Sequence, residues 1–298
     1  MEEAFSFGVF ADIQYAMKED KPPKYYKSSL SFFENCVRDL NGPKGENLSF
    51  TIQLGDLIDG NETVELTEKD LTTIMDPLSR LPRENRPHYD VLGNHCLRYP
   101  RTKLCKILNF PNGRSYFSFQ VKNWNFIILD HQYHSSEIAD EEDKTYQKRK
   151  EKGQEILEKL KLTEVPNAVT WNGALGEEQL SWFKNEVETS EKDGKSVGIF
   201  SHIPLLREAG SNRHVAWDHA EVLEVLDASN CVEFYMAGHY HEGGYHYRNN
   251  VHHITMEGML QNDPQNETSY SIISVNDNKL TIEGIGNCTS RDLELRKK

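Results

Sequence analysis

No stretch of this chain approaches the roughly 18 consecutive apolar residues that a membrane span requires, so a membrane-embedded protein is not expected. Cysteine is sparse. Its five residues, Cys36, Cys96, Cys105, Cys231 and Cys288, form an odd set without a C-x-x-C pair. That pattern argues against a disulfide framework and for reduced thiols. Positive charge is in deficit: 34 Lys and Arg stand against 47 Asp and Glu, for a net charge of -13. Non-specific nucleic-acid binding needs clustered cations and is not expected here. An enzyme of this charge acting on an anion would need strong local positive charge, and bound divalent cations are its simplest source. Internal repeats and low-complexity tracts are missing too. The start, Met1-Glu2-Glu3 and a short apolar run, has no basic leader. A cytoplasmic location is therefore expected.

What is there is a series of short apolar runs. Phe5 to Ala11, Leu48 to Leu54, His88 to Leu92, Val197 to Phe200 and Val232 to Ala237 read as buried strands. Tyr116 to Val121 and Phe126 to Leu129 read as a strand pair turning at Lys122-Asn123. Helices are expected where Leu30, Phe33 and Val37 share a face, over Glu68 to Leu81, over Glu177 to Val187 and over Ala220 to Leu226. Apolar and polar residues alternate at Tyr270 to Val275 and Leu280 to Ile285, which predicts closing antiparallel strands. The order points to one α/β domain over residues 1–298, with sheets covered by helices. Residues 131–171 stand apart. Their charge predicts an inserted, mostly solvated helical segment, with a lid as the alternative.

A metal-capable side chain follows each of five strands. They are Asp12 and Gln14, then Asp56 with Asp59, then Asn94 and His95, then His202, and last His239 and His241. Strand carboxyl ends line the ligand crevice of open α/β sheets, so these residues can converge. Oxygen and imidazole donors together suit Mn, Zn or Fe(II). Gly55, Gly93 and Gly238 remove the Cβ where the backbone must turn beside such ions. Taken singly, an Asp after a strand is usually a turn or cap. The joint pattern is what excludes coincidence.

In this order the motifs resemble the signature of the calcineurin-like metallophosphoesterases: D-x-H, G-D-x-x-D, G-N-H-[DE], a strand-end His and G-H-x-H. The resemblance covers Asp12 to His241. Trp171 to Trp182, including Asn172-Gly173-Ala174-Leu175, is also similar to the family's helix before the fourth block. Two departures stand out: Gln14 replaces the His of D-x-H, and Cys96 replaces the acidic residue after Gly-Asn-His. The D-x-Q form resembles the branch of manganese-dependent ADP-ribose/CDP-alcohol diphosphatases.

The resemblance implies a β-sandwich of two mixed sheets flanked by helices, in four layers αββα. It implies two divalent ions, Mn most of all, with Mg, Zn or Fe(II) as alternatives. Asp12, Gln14, Asp56 and His241 would hold one ion, and Asp56, Asn94, His202 and His239 the other. His95 would donate to a phosphoryl oxygen or leaving group, and Asp59 would orient a neighbour. The implied reaction is in-line attack by a metal-bridging hydroxide on a small nucleotide diphosphate. Nucleic-acid and membrane partners are not expected from the charge and the lack of apolar spans, and a monomer is expected. A cyclic-nucleotide phosphodiesterase or phosphomonoesterase is the second reading, and a catalytically idle interaction scaffold the third. Base-pocket walls are expected from 131–171 and Leu205 to Trp217. Arg98 and Arg207 are read as solvated, with contact to a second phosphate as the alternative.

Overall fold

The computed structural model describes residues 4–137, 143–276 and 278–296. The first sheet begins with β1 (Phe5–Phe10), which runs parallel to β2 (Leu48–Gln53), itself parallel to β3 (His88–Asp90). Its other half is the antiparallel tail β10 (Tyr270–Asn276), β11 (Lys279–Ile285) and β12 (Arg291–Glu294), with β10 paired to β1. The second sheet starts with the hairpin of β4 (Phe117–Val121) and β5 (Trp124–Ile128). It continues in parallel through β6 (Ser196–Phe200), β7 (Val232–Ala237) and β9 (Val251–Thr255), and β8 (Gly244–Arg248) closes its edge. Each sheet is mixed and six-stranded, in the orders β12-β11-β10-β1-β2-β3 and β4-β5-β6-β7-β9-β8.

The central strands are apolar on both faces because both faces are covered. In β5, Phe126 and Ile128 enter the space between the sheets while Ile127 packs outward under helices, as the two-residue period of a strand demands. Phe7, Phe50, Phe126, Phe200 and Phe234 fill the gap between the sheets, with the Phe7 and Phe50 rings stacked 4.6 Å apart. Each side chain buried this completely contributes roughly 1.5–3 kcal/mol. Outside the first sheet lie α1 (Ser29–Asn41), α2 (Val64–Leu78) and α3 (Arg101–Ile107); Phe33, Val37, Leu71, Ile74 and Leu104 point into that core. Outside the second lie α5 (Gly176–Lys192) and α6 (His219–Ala228), held by Phe183, Val187, Val222 and Leu226. The four layers are those expected.

Some bounds differ from the sequence reading. α2 starts at Val64, not Glu68, because the Thr63 hydroxyl accepts from the Leu66 N–H at 3.3 Å and caps the helix. Val64 and Leu66 are exposed, so this first turn carries no apolar stripe. The helix stops before Ser79, leaving Leu81 in a turn. Within 131–171, residues 138–142 lie outside the described residues. α4 (Lys144–Leu162) follows them, solvated apart from Gly153 and Leu157. Leu157, flanked by Ile156 and Leu160, rests on Ala174 and Trp217. All five cysteines are buried free thiols. Among the described residues no helix is long and apolar enough to cross a membrane.

Candidate metal centre

The parallel strands of both sheets end at one place. Asp12 and Gln14 follow β1, Asp56 follows β2, and Asn94 and His95 follow β3. From the other sheet, His202 follows β6, and His239 and His241 follow β7. The oxygen donors thus come from the first sheet, and the strand-end imidazoles His202, His239 and His241 from the second. The structure brings together every residue singled out for the site.

Asp56 stands at the centre. Its Oδ2 is 3.0 Å from Gln14 Nε2 and 3.2 Å from His202 Nε2, and its Oδ1 accepts from the His95 N–H at 2.8 Å. On one side, Gln14 Nε2 is 3.1 Å from His241 Nε2, which lies 3.4 Å from Asp12 Oδ1. On the other, His202 Nε2 is 3.1 Å from Asn94 Oδ1. Asp56, His202 and His239 each offer a ligand atom within 4.8 Å of the others. A cleft of about 320 Å³ opens onto this cluster, lined also by Lys24, Arg98, Glu137, Trp171 and His214.

The backbone is strained here. Asp12, Gln14, Asp56 and His239 have φ of 50°, 44°, 56° and 69°, in the left-handed region that non-glycine residues seldom enter. Such conformations cost of order 1–3 kcal/mol each and persist only where the surroundings enforce them. Hydrogen bonds do so here: Asp12 N to Gly55 O at 3.1 Å, Gln14 N to Asp56 O at 2.8 Å, and His239 N to Asp12 Oδ2 at 3.0 Å. Two glycines make the close approach feasible. A Cβ on Gly93 would lie 2.1 Å from Asp56 Oδ1, and one on Gly55, whose φ is 102°, would lie 2.2 Å from His202 Nδ1.

The charges are mutually dependent. Burial would raise the Asp56 pKa, but His202 and His95 hold it well below the usual carboxylate range. Burial opposes charge on His202, yet Asp56 outweighs it and raises the pKa to about 8. His95 is likewise opposed by burial and pushed up to about 9 by Asp56 and Asp59. Asp59 holds His95 Nδ1 at 3.0 Å through Oδ1 and takes the Lys18 ammonium at 2.5 Å through Oδ2. The ring's other nitrogen, Nε2, is left for a further partner. His239 is kept neutral by burial and by its neighbour His202.

Asn172 is a residue whose role the sequence reading missed, although its stretch was noted. Its Nδ2 donates to the carbonyls of Asn167 and Arg213 at 3.1 and 2.8 Å, so its Oδ1 is the end that faces His239 Nε2, at 2.9 Å. An amide oxygen only accepts, so Nε2 carries the proton and Nδ1 presents its lone pair. Nothing in Asn-Gly-Ala-Leu signals this contact before the fold joins β7 to the loop ahead of α5. Arg98 lines the cleft, whereas Arg207 is not among its lining residues and pairs with Glu208 at 2.9 Å.

The cluster fits divalent cations. Gln14 Oε1 is buried with no hydrogen-bond partner, and a half-turn of the amide brings that oxygen to where Nε2 meets Asp56 and His241. The remaining donors are carboxylates, an amide oxygen and imidazoles, a set suited to Mn, Fe(II) or Zn.

Two mixed sheets whose parallel strands end in such a ring define a metal-dependent phosphohydrolase. Residues 5–243 match the family model described as calcineurin-like phosphoesterase, and the chain belongs to that family. It is 31% identical to a manganese-dependent ADP-ribose/CDP-alcohol diphosphatase of Oryza sativa subsp. japonica, over 95% of this chain and 92% of that protein. It is 29% identical to the Arabidopsis thaliana protein of the same name, over 97% of both. The crystal structure of a dimetal phosphatase from Danio rerio superposes with a TM-score of 0.86 at 26% identity, covering 98% of this chain and 99% of that one.

Proposed function

We propose that the chain is a manganese-dependent diphosphatase, cleaving ADP-ribose to AMP and ribose 5-phosphate and CDP-alcohols to CMP and a phosphoalcohol. The names of its full-length relatives support this reading. The observation that carries it is the unpartnered Gln14 oxygen inside a ring of carboxylate and imidazole donors. Asp12, Gln14, Asp56 and His241 would hold one ion, and Asp56, Asn94, His202 and His239 the other, His239 through Nδ1. When bound, the two cations supply Lewis-acid polarisation of the phosphoryl group and activation of water. A neutral amide is a weaker donor than imidazole, so Gln14 favours a harder ion, manganese over zinc.

His95 supplies a proton at Nε2 toward a phosphoryl oxygen, because Asp59 fixes the ring through Nδ1. Lys24 and Arg98 put positive charge at the cleft, which an acidic protein otherwise lacks. Trp171 and His214 give it aromatic walls for a base.

The test is product analysis. Metal-stripped protein should be inert toward ADP-ribose and should release AMP once manganese is restored, less so with magnesium or zinc. Hydrolysis of cyclic nucleotides or phosphomonoesters without AMP release from ADP-ribose would replace this reading.

A further inference from the structure

Arg98 and Glu137 line the same cleft as Gln14, Asp56, Asn94, His95, His239 and His241. Arg98 ends the short 3₁₀ turn that His95 begins. With about three residues per turn, side chains at i and i+3 eclipse, so Arg98 lies on the same side of the turn as His95, about 6 Å along its axis. Its stem has a made place. A Cβ on Gly60 would lie 2.4 Å from Arg98 Cγ and 2.5 Å from its Cβ, so the absence of a side chain at Gly60 admits the arginine. Among the described residues Glu137 is its one acidic partner, with Nη2 and Oε2 3.7 Å apart. That separation is beyond a charge-assisted hydrogen bond, which closes to about 2.7–2.9 Å. Contrast Arg248, which grips Asp227 at 2.6 Å. The Arg98 stem is therefore seated beside Gly60, and its largely exposed fork lies near the cleft with, among the described residues, its hydrogen-bonding capacity largely unspent.

We propose that Arg98 takes the second phosphate of a diphosphate substrate, and that Glu137 holds its guanidinium at the cleft until that phosphate displaces it. This rests on the diphosphatase reading above. A phosphate of a diphosphate diester spreads one negative charge over two non-bridging oxygens that match the guanidinium fork, and it can close to hydrogen-bond distance where Glu137 stays 3.7 Å away. A phosphodiester with no second phosphate offers nothing to displace Glu137. The pair therefore selects for diphosphates after the ion site has engaged the first phosphoryl group.

The test compares ADP-ribose with an aryl phosphodiester, using the manganese-loaded enzyme. Arg98→Gln should raise KM for ADP-ribose about tenfold or more with a smaller effect on kcat. The ratio of kcat/KM for ADP-ribose to that for the diester should fall by the same factor. Arg98→Lys, which keeps charge but not the fork, should recover part of it. Glu137→Gln should lower KM for ADP-ribose severalfold. Inorganic pyrophosphate should inhibit Arg98→Gln about tenfold more weakly than the unsubstituted enzyme, with orthophosphate changing less. Equal losses on both substrates, or unchanged pyrophosphate inhibition, would overturn the proposal. An enzyme that cleaves the diester but not ADP-ribose would remove the diphosphatase reading instead, and pyrophosphate inhibition would still decide Arg98.

Discussion

Replacing Asn172 with Leu removes the acceptor facing His239 Nε2 and both donors to the Asn167 and Arg213 carbonyls. Leucine has nearly the same volume, so little cavity is added. His239 is buried, and its Nε2–H would have no partner, at a cost of roughly 1–3 kcal/mol. The ring can avoid that cost by moving its proton to Nδ1, the nitrogen proposed to meet an ion. Either way the ion is held less well. Partners of metal-bound histidines typically account for 10–100-fold in affinity, which is about 1.4–2.8 kcal/mol and consistent with the hydrogen-bond figure. Manganese titration followed by electron paramagnetic resonance should therefore show Kd rising about 10–100-fold in Asn172→Leu. Asn172→Asp separates the two roles of the amide. Its carboxylate still accepts from Nε2 but repels the two carbonyls, so metal affinity should stay near that of the parent while the metal-free Tm drops. Nitrogen chemical shifts of His239 would report the tautomer directly. If Asn172→Leu folds and binds manganese with unchanged Kd, the tautomer argument is wrong.

Two further outcomes follow from the geometry. Removing the proposed proton donor in His95→Ala should cost roughly 10²-fold on an alkyl phosphodiester. ADP-ribose should lose less, since its departing phosphate has a second pKa near roughly 6 and leaves with little help; equal losses in kcat on both would refute the role. Asp218 accepts from Leu175 N and Gly176 N at 2.7 and 3.2 Å, at the start of α5, yet burial raises its pKa to about 7. A carboxyl whose folded pKa lies above its unfolded value of about 3.9 loses folded-state stability as pH climbs between the two. Asp218→Asn escapes that loss, so its stability relative to the parent should improve between pH 4 and 8, by about 4 kcal/mol at most and roughly half that where solvent reaches the carboxylate. Urea unfolding at several pH values checks this; a flat difference would show that the helix terminus keeps Asp218 ionised.

The strands that carry the site were readable because they are buried on both faces. Phe5 to Phe10 and Val232 to Ala237 are mainly apolar runs, broken at Ser6 and Glu233, that stop two residues before a ligand-type residue, and the structure puts their ends together. β8 and β9 were not readable. His246, His252 and His253 interrupt any alternation there, because Tyr245 and the Glu294 carbonyl accommodate His252 through hydrogen bonds that only the folded chain supplies. β12 was hidden likewise, since its charged residues face solvent and only Leu293 is buried. α3 escaped because its buried Arg101 reads as a surface residue, though it pairs with Asp130 and Ser115 inside the protein. Asn172 and the Arg98–Glu137 pair are contacts between segments far apart in sequence, and no local pattern encodes them.

The division of donors between the sheets has its own consequence. β1 to β3 deliver every carboxylate and amide of the centre, but the rings of His202, His239 and His241 arrive only with strands some hundred residues later in the chain. A half-formed sandwich therefore presents an incomplete claw. A cation held by both sets would act as a rivet through the seam between the two layers, and its release would loosen the very joint that shaped its seat.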